Sequence, residues 1–189
     1  KATTESIDGA GTVAITDLDH TLAADLSGIT TNSVTAAFDG SGTFTGNLGT
    51  AVVTVADSVT MTAAYNKPNG KTVNHDGSEN AQAVVVTIAA ADAAADLSNI
   101  TSNITNLTAN FTETQTFTGS LNSKSATVDG GVTVTSTAAV ITGDTISGAG
   151  TVAVTALEST DAANLTGITA TTHTATVSGN NTSFTGNLG

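Results

Sequence analysis

The chain has 189 residues, a formal net charge of −12, four lysines, no arginine and no cysteine. So few cationic side chains exclude extensive binding to nucleic-acid phosphates, and the lack of cysteine excludes disulfides and thiolate metal sites. No stretch approaches the roughly 18 consecutive apolar residues of a transmembrane helix, so we expect no insertion into a membrane.

Short stretches of alternating apolar and polar residues predict β-strands along the chain. Most of them end at turn-forming pairs such as Asp39-Gly40 or Gly46-Asn47. Only the alanine-rich stretch Ala89–Ala95 is typical of a helix, and its length suits a single turn. The predicted strands are Thr12–Thr16, Ser33–Phe38, Ala51–Val55, Val59–Thr62 and Val132–Thr135.

Long segments of the sequence recur. Ser6–Thr16 returns with few changes as Thr145–Thr155. Phe44–Gly49 returns unchanged at positions 184–189, and Asp96–Thr101 resembles Asp25–Thr30. Residues 1–189 are therefore predicted to be one continuous repeat array, which we expect to be a fragment of a longer chain. Its units, each of about 70 residues, lie at approximately 6–72, 73–145 and 146–189, the last of them partial.

A polar segment near positions 74–83 has no counterpart in the last copy of the repeat. Length variation confined to one polar stretch is typical of a surface loop, because loops tolerate insertions better than strands do. We therefore predict an insertion loop there.

The few large side chains fall on equivalent positions of the copies, which favours a stacked core. Short strands and many small residues predict an all-β fold, an elongated β-solenoid with three or four coils to a unit and nine to twelve in all. A string of small β-sandwich modules stays open as the alternative, although a sandwich usually needs about 100 residues and a larger core. The predicted core includes Ile29, Phe38, Phe44, Ile100, Phe111, Phe117, Ile168 and Phe184.

Three runs of the sequence resemble the tandem repeats of large bacterial cell-surface proteins of the S-layer-like and β-strand-repeat adhesin type. The runs are Gly150–Thr155, Leu165–Thr169 and Phe184–Leu188. The resemblance implies export, an extracellular location and a structural or adhesive role in a surface layer, surface filament or large adhesin. It transfers no catalytic residue, and we expect no enzymatic activity. A ligand-binding solenoid for ice or glycan is the alternative function.

Calcium is the one metal that the composition suggests, because it prefers carboxylate and carbonyl oxygen ligands. The candidates are Asp8, Asp17, Asp19 and Asp39, although aspartate is also an ordinary turn residue. No cofactor is required. We expect self-association into a homo-oligomer, filament or lattice, because solenoid ends expose strand edges. Calcium bridging would offset the repulsion between these acidic chains.

Other polar residues give weaker indications. Nothing in the repeat brings His20, His75 and His173 together, which argues against a catalytic or metal site. Regular ranks of threonine on a flat solenoid face can bind ice, but pairs such as Thr60/Thr62, Thr133/Thr135 and Thr172/Thr174 drift between the copies of the repeat. Glycan attachment stays open as well, because the sequence contains seven Asn-x-Ser/Thr motifs. They begin at Asn99, Asn103, Asn106, Asn110, Asn164, Asn180 and Asn181.

Overall fold

A computed structural model of the chain describes residues 6–18, 21, 23–77, 81–158, 162–178 and 186–188. The fold is a β-solenoid of about eight turns, which confirms the predicted all-β class and architecture. All strand pairs with a defined register in these residues are parallel. The alternative of sandwich modules is wrong, because sandwiches are built from antiparallel sheets.

Most of the strands have only two to seven residues, as expected where each coil contributes a brief segment to a sheet. One α-helix, α1 (Ala138–Ile141), and two 3₁₀ turns, Ala90–Asp92 and Leu97–Asn99, accompany them. The strands in the described residues are β1 (Ile7–Ile15), β2 (Ile29–Phe38), β3 (Gly42–Phe44), β4 (Val52–Val55), β5 (Thr60–Ala64), β6 (Val73–His75), β7 (Ala83–Ile88), β8 (Asn106–Phe111), β9 (Gln115–Thr116), β10 (Ala126–Val128), β11 (Thr133–Thr137), β12 (Ile146–Gly148), β13 (Thr151–Leu157) and β14 (Thr172–Val177).

The chain forms two compact units, residues 1–86 with 99–107 and residues 87–98 with 108–189. In the first unit, β1, β2, β4 and β6 form a parallel sheet in that order, and β3 and β5 pair in another. In the second unit, β8, β10 and β12 are neighbours in one sheet, while β9, β11, β13 and β14 form the other. Each sheet places alternate residues inside and outside the coil.

The number of turns is smaller than the sequence suggested. Thr35 pairs with Val52, and Asp96 pairs with Ser120, so one turn of the coil separates these positions in the chain. Around the insertion the separation is wider, between Thr72 and Thr101. Three such turns make up one repeat unit. The prediction of nine to twelve coils is therefore wrong, because each coil holds a corner as well as its strands.

The corner is the most regular local structure. At Asp25, Asn47, Asp96 and Asn164, a side-chain oxygen accepts a hydrogen bond from the backbone N–H two positions later, at 2.9 to 3.2 Å. Aspartate and asparagine favour this turn because their short side chains reach their own backbone. The residue after each of them is a leucine that is at most 8% exposed: Leu26, Leu48, Leu97 and Leu165.

The repeated Phe-Thr-Gly sequence has a packing reason. Phe44 and Phe117 are buried, and the glycine two positions later touches the backbone of the preceding coil. A Cβ atom on Gly119 would lie 1.9 Å from the carbonyl oxygen of Ala95. That carbonyl accepts a 2.8 Å hydrogen bond from the N–H of Ser120. Only glycine lets the two backbones approach closely enough for this bond.

Most of the predicted core is confirmed. The side chains of Phe38, Phe44, Phe111, Phe117, Ile100 and Ile168 are at most 5% exposed. Ile29 is only half-buried and its assignment to the core is wrong: it lies opposite Ile7 of β1, an edge strand of its sheet. Phe184 lies outside the described residues.

The predicted strands are present, although β1 begins at Ile7 rather than Thr12 and β2 at Ile29 rather than Ser33, and the alanine-rich stretch contains the expected single turn, Ala90–Asp92. The predicted insertion loop is wider than the segment between the strands. Asn74 and His75 belong to β6, and Ala83 begins β7. Between these strands, only residues 76–77 and 81–82 are described.

We predict that Gly119→Ala destabilises the fold by about 1–3 kcal/mol or more, because a methyl group there overlaps a backbone atom that cannot move independently. Gly130→Ala is the matched control, since its Cβ would meet only Ala149 Cβ at an ordinary 3.7 Å. Chemical denaturation of the two variants measures the difference. Equal midpoints for the two would show that the close approach is not a constraint.

Candidate functional site

The calcium candidates lie on the surface near the first coil. Asp8 is in β1, Asp17 follows β1 and Asp39 follows β2, and all three are exposed. Asp19 lies outside the described residues. Among the residues that the structure describes, no three His, Cys, Asp or Glu side chains form a group suited to a metal ion. Calcium binding at these aspartates stays a prediction.

Two other aspartates have a clear structural use. Hydrogen bonds from the side chain and then from the backbone of Ser27 hold the pKa of Asp25 below its usual value. Ser98 lowers the pKa of Asp96 in the same way. The ionised carboxylates accept the bonds that close the corners. These two carboxylates therefore stabilise the corner turns through hydrogen bonds.

The histidines make local contacts. In β6, Nδ1 of His75 accepts a 3.0 Å hydrogen bond from the N–H of Gly77. In β14, Nδ1 of His173 lies 3.1 Å from the carbonyl oxygen of Ala170. His20 lies outside the described residues. These contacts shape turns beside the strands, and they give no indication of proton-transfer chemistry.

Several asparagines of the glycosylation motifs also serve the fold. Asn103 accepts a 2.9 Å bond from the N–H of His75, and Asn106 donates to the carbonyl of Gln82 at 3.3 Å. Asn110 accepts from Thr127 at 2.7 Å, and Asn164 accepts from Thr166. Asn180 and Asn181 lie outside the described residues. Glycan attachment stays a prediction.

The sequence analysis missed one buried acid, Asp144. It is 8% exposed, and burial raises the pKa of its carboxyl group. Its N–H donates to the carbonyl of Ile141 at 3.2 Å, as the N–H of Ile168 donates to Leu165 at 2.9 Å. Asp144 thus occupies a corner position that holds isoleucine in the next coil. The sequence contained one indication of this burial. Ile141-Thr142-Gly143-Asp144 is similar to Leu165-Thr166-Gly167-Ile168, in which isoleucine takes the position of Asp144.

The threonine pairs are more ordered than expected. In the sheet β9-β11-β13-β14, outward side chains form ranks across the strands, in register up to Val154, after which the pairing of β13 with β14 shifts. We call these outward positions the threonine face. Its first rank is Thr114, Thr133, Thr151 and Thr172, its second is Thr116, Thr135, Ala153 and Thr174, and its third is the pair Thr137 and Thr155.

The expected drift of these pairs is therefore wrong for this sheet. Thr133 lies opposite Thr151, and Thr151 lies opposite Thr172. Comparing whole copies of the repeat did not show this alignment, because neighbouring strands come from successive coils and each copy contains three coils. Thr60 and Thr62 belong to β5 in the other compact unit.

Two surface hollows are also present. One of about 450 Å³ lies along β2 and is lined by polar residues such as Thr31, Asn32 and Ser33 together with Val34 and Val52. The other, of about 270 Å³, is lined by apolar side chains such as Val154 and Leu165 together with His173. Among the described residues that line the first hollow, none is aromatic.

None of the helices in the described part of the chain is long and apolar enough to cross a membrane. Comparisons of the chain with protein-family models, curated proteins and solved structures find no match.

We predict that Asp144→Asn raises stability at pH 7 and has little effect near pH 3. The pKa of Asp144 is raised on folding, so the native state binds more protons than the unfolded state and loses stability as pH rises above the unfolded value of about 4. Denaturation at the two pH values measures this change. Asp129→Asn, which removes an equal charge at an exposed turn, is the control; an equal gain in that variant would contradict a burial effect.

Proposed function

We propose that the chain is a non-enzymatic structural or adhesive repeat segment of an extracellular bacterial surface layer, surface filament or large adhesin. The observation that carries the proposal is the recurrence of one register. Thr12 pairs with Ser33, and Thr151, the equivalent of Thr12 in the last copy, pairs with Thr172. A fold that repeats its strand pairing along the chain is extended by adding further copies.

The residues that recur are those that build the coil. They are the corner Asp or Asn, the buried leucine after it, and the buried phenylalanine with its closely packed glycine. Functional side chains of a binding module or an enzyme are normally concentrated at one place on a scaffold. Here the repeated features are corner and core, which supports a spacing or tiling role.

Self-association is part of the proposal. Among the strands that the structure describes, β1 and β14 each lie at the edge of a sheet, with Ile7 49% exposed and Val177 57% exposed. Strand edges of this kind are templates for pairing with another chain. The net charge of −12 opposes close approach of identical chains, and divalent cations reduce that repulsion.

The structural role is tested with two deletions, one that preserves the strand register of the array and one that disrupts it. Removing positions 6–144 in the source bacterium deletes two whole repeat units and places Thr145 where Ser6 was, so the equivalent strand continues the array. Removing positions 6–134 instead joins the chain inside β11. We expect intact cells to display the first variant at the wild-type level and the second at a level at least several-fold lower, as measured by protease digestion of intact cells.

The proposal fails if the wild-type chain is protected from protease in intact cells and digested only after lysis. It also fails if both deletions are displayed equally, because the register would then have no role in the array.

We predict that calcium increases the particle size of the chain and that a chelator reverses the change. Sedimentation velocity at several protein concentrations measures the association. The Asp8→Asn/Asp39→Asn double variant should respond less than Asp57→Asn/Asp129→Asn, which removes the same number of charges at other exposed turns. An unchanged size of the wild-type chain in calcium and in chelator would show that cations do not bridge it.

A further inference from the structure

The threonine face has a two-dimensional spacing that follows from the fold. Along a parallel strand, residues two apart on one face are separated by about 6.6 Å, and neighbouring strands are about 4.8 Å apart. The register of β11 with β13 is unshifted from Thr133 to Thr137, so the ranks run straight across these strands. The threonine side chains of the first two ranks therefore project from a nearly rectangular grid of about 6.6 by 4.8 Å.

The chemistry of the face is uniform. Every position of the three ranks is threonine except Ala153, which still presents a methyl group. Threonine is stiff about its first side-chain torsion because it is branched at Cβ, so each hydroxyl and methyl holds a defined place. Thr155 is fixed further by a 3.2 Å bond from its hydroxyl to the carbonyl of Ser136. Methyl groups in such an array keep water in an ordered layer, and the hydroxyls anchor it.

No charged side chain belongs to these ranks, although the chain carries 16 acidic residues. A charged group orders water around itself and interrupts any lattice. The threonine face therefore contains no charge that would disturb an ordered layer of water, as the ranks compared below also contain none.

The general preference of threonine for exposed strands does not explain the pattern. In the other compact unit, the outer face of β2, β4 and β6 has the ranks Thr35 with Val52, and Ala37 with Thr54 and Asn74. In the same unit as the threonine face, β8, β10 and β12 align Asn110, Thr127 and Ser147. These faces have the same geometry and mixed side chains.

We propose that the threonine face of β9, β11, β13 and β14 binds ice, with its threonine ranks matched to the oxygen lattice of a crystal surface. The face presents about four strands and three ranks, a small area, so we expect adsorption to ice and inhibition of recrystallisation rather than a large depression of the freezing point.

The test is incorporation of the full chain, fused to a fluorescent protein, into a growing single ice crystal. Thr135→Lys places a charge at the centre of the face and should reduce incorporation at least tenfold. Thr43→Lys, on an exposed strand position of the other compact unit, should leave incorporation unchanged. Ala153→Thr completes the second rank and should increase it.

Circular dichroism establishes that each variant is folded. If Thr135→Lys does not fold, Thr174→Lys on the exposed edge strand β14 replaces it, with the same expected loss. Exclusion of the wild-type chain from ice, to the extent seen for an inert protein, would overturn the proposal. Equal incorporation of the wild type and the folded lysine variant of the face would also overturn it.

Discussion

The structure depends on one requirement: each coil must return to the same place and present a parallel strand in register with the coil before it. Parallel strands cannot be joined by a two-residue hairpin, so the chain needs a complete circuit between partners. The corners make that circuit reproducible. A side-chain oxygen fixes the turn, a buried leucine anchors it, and the N–H of Asn47 or Ser120 bonds to the preceding coil at 2.8 Å.

This requirement explains the composition. A narrow coil leaves little room for large side chains, and Phe111 and Phe117 already meet edge to face with ring centroids 5.1 Å apart. Most other inward positions hold valine, alanine or leucine. Inserted residues are accommodated in the turns between strands and not within the strands. The insertion lengthens the turn that joins Thr72 to its partner Thr101, and the strand Val73–His75 before it keeps its pairing with β4.

The solenoid was predictable because its causes are local and repeated. Alternation indicated the strands, and the equivalence of Phe38 with Phe111 and of Phe44 with Phe117 placed the core. The number of turns was not predictable from the sequence, because the strongest sequence similarity relates every third coil rather than neighbouring coils. Neighbouring corners share a geometry but differ in sequence, as Asp96-Leu97-Ser98 and Ser120-Leu121-Asn122 do.

The candidate sites were less predictable for the same reason. Whether threonines form a rank depends on which coils are neighbours, and the copies compared in the sequence were three coils apart. Thr133 and Thr172 lie in one rank at a separation that no repeat of the sequence marks. The burial of Asp144 depends on its corner position, which is clear only when each coil is aligned separately. The half-exposure of Ile29 results from the edge strand beside it.

The lysines in the described residues show how corners protect the backbone from trypsin-like proteases. Lys67 is followed by Pro68, a bond that trypsin-like enzymes do not cut, and Lys71 donates its Nζ–H to the carbonyl of Gly49. The N–H of Lys124 bonds to Leu121 within a corner at 2.9 Å. A protease needs an extended segment in its cleft, so the bonds after Lys71 and Lys124 are cut only after a corner opens. With no arginine in the sequence, digestion by such enzymes at these two sites reports the opening of single coils.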